Sequence, residues 1–275
     1  MLIFKIHGMN KKNVKKKVLS KAKPSKRIIN IVIPMAGSGK PFKDAGYAFP
    51  KPLIGIRDMT MIEIVIKNLQ PKTPHHFIFV CQKEMLEKYD LYNILKNATK
   101  NHFDIVPING KTEGAACTVL LASKYINNDS ELIIANSDQY IDADVNIFIK
   151  KSRENKRDGL IMTFKSSHPK WSYARIDKTG KVLETAEKKV ISNNATAGLY
   201  YFKKGSDFVS SAQSMIHKNI RHNNEFYVCP VFNEMIINGK EIYIQNIDEK
   251  KMHGLGSPED LNTFMNKLNN KQIHI

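Results

Sequence analysis

The chain has 275 residues, 42% hydrophobic and 25% charged, the balance of a globular protein long enough to bury a large core, which excludes collagen-like and wholly disordered chains. No apolar run approaches the roughly 20 residues of a membrane helix; the best candidates, 28–35 and 227–237, are short or interrupted by Pro, Asn and Glu. The formal net charge of +17 points to nucleic acid until it is divided along the chain: residues 1–27 hold nine lysines and one arginine and no acid.

That leader has too few apolar residues for a secretory segment and reads as a disordered basic arm, with a tether to nucleic acid or an anionic membrane as the lesser alternative. Residues 28–275 are treated as one domain, and with no clustered basic helix in it nucleic acid is not an expected partner. Residues 29–33 form a β-branched run of strand length, followed at once by Pro34 and a glycine-rich turn at Ala36, Gly37, Ser38 and Gly39, the opening of a nucleotide-binding α/β unit. Helical spacing over 59–69, a strand at 76–80, helical character over 83–98, a strand at 103–108 and a helix over 114–125 follow. A buried strand at 131–135 then runs into Asn136, Ser137 and Asp138. Strands alternating with helices predict an α/β fold with a mostly parallel sheet covered on both faces. Beyond residue 150 the rhythm is strand-rich, at 159–165, 173–177, 181–185 and 196–202, with the turn 178–180 joining two strands as a hairpin. Helices return at 207–218 and 231–238, then a strand at 241–247. A last helix opens with Ser257 as N-cap, Pro258 in the first turn, and Glu259 and Asp260 against its positive end.

Ligands of open α/β sheets collect at the carboxyl ends of the strands. After the first strand, the glycines let backbone N–H groups turn toward an anion, and Lys40, Lys43 and Lys51 add charge; an ordinary tight turn explains the glycines as well. The small-residue loop 109–117 would admit a flat base against its backbone, or is simply a tight helix start. Asp138 stands where an apolar strand stops, a natural ligand for phosphate-bound Mg²⁺, although a lone Asp there is commonly a turn residue. His75, His76, His217 and His222 lack metal-ligand spacing. Cys81, Cys117 and Cys229 form no CxxC pair and read as free thiols in a reducing compartment.

The succession MAGSGKPF (35–42), PKPL (50–53), TEGAA (112–116), NSD (136–138), Glu187-Lys188, AGLYY (197–201) and GSPEDL (256–261) resembles the sugar-1-phosphate nucleotidyltransferases, or NDP-sugar pyrophosphorylases, over residues 29–264. AGY at 45–47 ahead of PKPL is similar to their capsule and surface-polysaccharide branch. The resemblance implies a Rossmann-like, GT-A type three-layer sandwich with a mixed, mostly parallel central sheet. It implies a cytoplasmic enzyme in which a phosphorylated sugar, or similar phosphorylated alcohol, attacks the α-phosphorus of a nucleoside triphosphate and releases pyrophosphate, with Mg²⁺ as cofactor. By this match Ala36, Gly37, Ser38, Gly39 and Lys40 hold the triphosphate, Lys51 neutralises phosphate at the reacting centre, and Asn109 and Gly114 face the base. Asp138 holds the metal, Tyr173, Glu187 and Gly198 line the sugar site, and Lys188 takes the sugar phosphate.

The chain departs from the family pattern at three places. Pro41 stands where relatives place an arginine, leaving Lys40 or Lys43 to substitute. Gly254 stands where a second metal-binding Asp is common, and Tyr173-Ala174 replaces Tyr-Gly. A GT-A glycosyltransferase and a non-catalytic nucleotide-binding regulator are the rival readings; the first normally carries DxD, and Ser137-Asp138-Gln139 lacks its second acid. Base, acceptor and oligomeric state are left open.

Overall fold

In the computed structural model, which describes residues 28–154 and 157–275, the β-branched run of β1 (Ile29–Pro34) serves two cores. Ile29, Ile31 and Ile33 are buried on one face of the strand and Val32 on the other, as a period of two requires. The expected basic arm at 1–27 lies outside the described residues. The chain continues through α1 (Lys40–Asp44), a 3-10 turn at Lys51–Leu53, β2 (Gly55–Ile56), β3 (Met59–Thr60), α2 (Met61–Asn68), β4 (His75–Gln82), α3 (Lys83–Lys88), α4 (Leu91–Ala98) and β5 (Phe103–Ile108). Next come α5 (Ala115–Leu120), α6 (Ser123–Ile126), β6 (Leu132–Ala135), β7 (Gln139–Ile141) and α7 (Val145–Ser152). The second half holds β8 (Gly159–Lys165), β9 (Tyr173–Ile176), β10 (Val182–Ala186), β11 (Asn194–Phe202), α8 (Gly205–His217), α9 (Val231–Ile237), β12 (Ile242–Ile247), β13 (Met252–Gly254) and α10 (Pro258–Asn269).

The main sheet has nine strands. β5, β4, β1 and β6 lie side by side and parallel, β11 joins β6 antiparallel, and β8 with β12 and β9 with β10 branch from β11. Helices cover both faces. α2, α4 and α7 bring Ile62, Ile66, Leu95 and Phe148 to one core, while α5, α6, α8 and α9 bring Val119, Ile126, Phe208 and Phe232 to the other. The predicted three-layer α/β sandwich, with its mixed sheet and mostly parallel central strands, is the observed architecture. A smaller cluster joins Leu261, Phe264 and Leu268 of α10 to Phe42, Ile54 and Tyr140, so the last helix braces the segment that carries Lys51.

Several local readings are refined. The helical stretch expected over 83–98 is split at Tyr89, which is extended at φ −133°, and that over 114–125 is split between Leu120 and Ser123. Ser257 caps α10 as expected, accepting a hydrogen bond from Asp260 N at 3.2 Å. β11 slips register against β8 between Thr196 and Tyr200, and Gly198 sits in that irregularity at φ +67°, a bulge that glycine permits. No helix among the described residues is long and apolar enough to cross a membrane.

Candidate active site

The parallel strands end together, and a cleft of about 530 Å³ opens at those ends, where an open α/β sheet collects its ligands. β1 delivers Ala36, Gly37 and Ser38 to its wall, β6 delivers Asp138, and the entrance to α5 delivers Gly114. Gln82, the last residue of β4, ties two of these loops together: its Nε2 donates to Ala36 O at 2.7 Å and to Gly110 O at 2.8 Å. The sequence reading passed over Gln82, although a polar residue closing an apolar strand at the ligand edge was a usable signal.

Lys51 and Asp138 meet from distant parts of the chain. Lys51 Nζ lies 2.7 Å from Asp138 Oδ2, with the two side chains 19% and 26% exposed. Gly39 shapes this approach without lining the cleft: it has φ +61°, and a Cβ there would lie 3.3 Å from Lys51 Cβ. On the other side Leu255 N donates to Asp138 O at 2.8 Å. Gly256 passes so close that an added Cβ would stand 3.2 Å from Asp138 Oδ2.

The opposite wall comes from the second half of the chain. Glu187 follows β10 and is buried, and its Oε2 accepts a hydrogen bond from Ser172 Oγ. Burial pushes its carboxyl above the ordinary range. Lys188 is held at φ +48°, a conformation that costs a non-glycine residue on the order of 1 kcal/mol or more, and its Nζ lies 3.1 Å from Tyr227 OH. Thr196 and Tyr200 share a hydroxyl–hydroxyl bond of 3.0 Å. Cys229 is no nucleophile here, because burial pushes its thiol far up and keeps it protonated.

Gly114 is where the two walls touch. Its φ is +119°, and a Cβ there would lie 2.4 Å from Phe226 O and 2.6 Å from Phe226 N. Backbone bonds run across the contact, Phe226 N to Glu113 O at 2.7 Å and Ala116 N to Phe226 O at 3.0 Å. The Arg221 guanidinium lies 4.0 Å over the Phe226 ring.

The cleft thus gathers Ala36, Gly37, Ser38, Lys51, Gly114, Asp138, Glu187, Lys188 and Gly198, and leaves Gly39, Lys40, Asn109 and Tyr173 outside its lining. Lys40 is an exposed residue of α1 whose Nζ is 2.6 Å from Asp44 Oδ2. Tyr173 is fully buried, its hydroxyl spent on His168 O at 2.7 Å, because β9 turns this side chain into the core. Asn109 is exposed beyond the end of β5. Unforeseen members of the wall include Gln139 and Asp260, whose Oδ1 lies 3.1 Å from Lys170 Nζ.

The donor set fits a hard divalent cation. Asp138 presents a carboxylate to the cleft and Asp260 a second, and Mg²⁺ held through one or two carboxylates and substrate phosphates needs no more. Among the described residues no three His, Cys, Asp or Glu gather to hold a metal by themselves.

The nucleotidyl transferase family pattern matches residues 30–270, and the chain belongs to that family. The nucleoside-diphosphate-sugar pyrophosphorylase of Vibrio cholerae RC9 is 25% identical, with 86% of this chain and 99% of that one aligned at a TM-score of 0.71. Two more distant structures share the fold at the same TM-score of 0.71. A UDP-glucose pyrophosphorylase complexed with UDP-glucose is 17% identical over 89% of this chain and 99% of its own. The inositol-1-phosphate CTP transferase from T. maritima is 14% identical over 89% and 96%. No curated protein sequence matches the chain.

Proposed function

We propose that this nucleotidyltransferase joins a nucleoside triphosphate to a phosphorylated sugar, or a similar phosphorylated alcohol, giving the nucleoside-diphosphate conjugate and pyrophosphate. The observation that carries the reading is the Lys51–Asp138 pair, a phosphate-binding cation and a metal-binding carboxylate 2.7 Å apart on the wall of the cleft. A phosphate oxygen of the acceptor attacks the α-phosphorus, the bond from that phosphorus to the oxygen bridging the β-phosphate breaks, and pyrophosphate leaves. Such a displacement needs alignment and charge neutralisation more than covalent help.

Each group of the cleft then has a task. The backbone at Gly37 and Ser38 runs along the triphosphate, and Lys51 offsets the charge at the reacting phosphorus. Asp138, with Asp260 on the same wall, would hold Mg²⁺, which when bound neutralises phosphate oxygens. Glu187 accepts hydroxyl donors of the acceptor and Lys188 faces its phosphate. Relatives named for nucleoside-diphosphate sugars and for inositol 1-phosphate support an acceptor of this kind. The AGY and PKPL motifs support a wider setting, a cytoplasmic enzyme of surface-polysaccharide assembly with CTP or dTTP as the donor to try first.

The test is a pyrophosphate-release screen of the common nucleoside triphosphates against sugar phosphates and other phosphorylated alcohols, with and without Mg²⁺. Pyrophosphate is expected only when triphosphate, acceptor and Mg²⁺ are all present. Transfer from, or hydrolysis of, a preformed nucleoside-diphosphate sugar with no pyrophosphate from any pairing would sink the reading.

A further inference from the structure

Gln139 opens β7 directly after Asp138 and lines the cleft, yet only 4% of it is exposed. Its side-chain Nε2 is buried and has no hydrogen-bond partner among the described residues. A buried amide donor left unbonded is costly, and native folds seldom keep one without a use.

Two glycines flank it. Opposite Gln139 in the short antiparallel ladder stands Gly254 of β13. Cross-strand partners face the same way, so any other residue there would project a side chain beside the amide. On the second flank is Gly198, where a Cβ would stand 2.1 Å from Gln139 Oε1 and 2.4 Å from Asn136 Nδ2. Glycine at 198 is what allows the amide its position. Both glycines line the cleft together with Gln139, so the unbonded donor lies at the cleft wall.

The neighbours indicate which ligand. A Cβ at Gly254 would lie 3.6 Å from the Trp171 ring and 3.6 Å from Asp260 Oδ2, and Trp171, Gly198 and Gly254 all belong to the half of the chain that carries Glu187 and Lys188. We propose that Gln139 Nε2 donates a hydrogen bond to an oxygen of the phosphorylated acceptor. Gln139 thereby selects acceptors that carry a hydroxyl or ring oxygen close to their phosphate. The proposal rests on the nucleotidyltransferase reading of the cleft and adds a specificity-determining residue to it.

Gln139→Met keeps the length of the side chain and removes the donor, and Gln139→Leu gives the same contrast with a different apolar shape. Binding of α-D-glucose 1-phosphate, other hexose 1-phosphates, inositol 1-phosphate and glycerol 3-phosphate is measured by calorimetry on wild type and both variants, beside melting temperatures and pyrophosphate-release kinetics. A compound that binds wild type is expected to bind the variants about tenfold more weakly, the value of one well-made hydrogen bond. The KM for the triphosphate should stay within about twofold, and the unliganded variants should melt no lower than wild type, since each loses an unbonded donor. Equal affinity in wild type and variants would overturn the proposal. So would variants that melt markedly lower with both KM values raised together, the mark of a structural amide, or a wild type that binds no member of the panel. Binding that depends on Gln139 without pyrophosphate release in wild type would refute nucleotidyl transfer and leave the role of Gln139 standing.

Discussion

Lys51 Nζ sits 2.7 Å from Asp138 Oδ2, so in the free protein the cation assigned to phosphate is engaged with the carboxylate assigned to metal. Under the proposed function, Lys51 would compete with the cation for Asp138 in the free protein. Lys51→Ala is therefore expected to lower turnover roughly 100-fold or more by removing charge stabilisation at the reacting phosphorus. It should at the same time tighten Mg²⁺ binding to the free protein, because Asp138 no longer has a competing cation. Asp138→Asn should abolish pyrophosphate release while leaving the fold intact. Calorimetric titration with Mg²⁺ checks the competition, and an unchanged affinity in Lys51→Ala would refute it.

Gly114→Ala puts a methyl group 2.4 Å from Phe226 O at a φ of +119°, where neither backbone has room to give. The expected loss is about 3 kcal/mol, combining left-handed strain with a backbone clash. Urea denaturation measures it, and a loss below about 1 kcal/mol would mean that the Gly114–Phe226 contact is looser than the geometry states.

Glu187 is the buried carboxylate of the acceptor wall, with its pKa raised by burial. A raised folded-state pKa means that its stabilising contribution is present while the group is protonated and is lost as pH rises through that value. Once ionised, the buried side chain is thus a burden on the fold, and Glu187→Gln should melt no lower than wild type. Acceptor KM should nevertheless rise roughly tenfold, since the carboxylate is the stronger acceptor of hydroxyl donors. In wild type the acceptor KM should climb as pH falls through the raised pKa. A Glu187→Gln protein with unaltered acceptor KM would remove this residue from recognition.

His253, buried between Tyr140 and Phe264, has its pKa lowered to about 4 by burial first and by Lys267 second. It is neutral at pH 7, and the unfolded chain binds its proton more readily than the folded one. Stability should therefore fall as pH drops from 6.5 toward 4, by up to roughly 1.4 kcal/mol per pH unit from this group. His253→Phe should flatten that slope in denaturation curves taken at pH 7 and pH 5; an equal slope in both proteins would assign it elsewhere.

Much of the site was legible because strand ends and motif order carry it. β1 and its glycine turn, and Asp138 after β6, sit where an apolar run gives way to polar residues, whereas Lys51 in PKPL was legible only through the motif resemblance. What escaped was set by tertiary pairing. β7 and β13 have three residues each, too few for any periodicity, yet their pairing sets Gln139 opposite Gly254. Tyr173 read as a sugar contact because its motif position outranked its burial, which only the pairing of β9 with β11 reveals. α7 was the avoidable omission, since Asp144 supplies a side-chain cap and Val145, Phe148, Ile149 and Ser152 follow at helical spacing.

The backbone seam at Gly114 and Phe226 also bears on how the cleft can be remodelled. The loop ahead of α5 and the segment before α9 meet through main-chain atoms, so neither can drift in length or course without dragging the other. Transplanting only the first from a relative would tear the seam. A graft that moves residues 109–118 and 221–229 as one cassette respects it, which makes these two distant stretches a single structural unit.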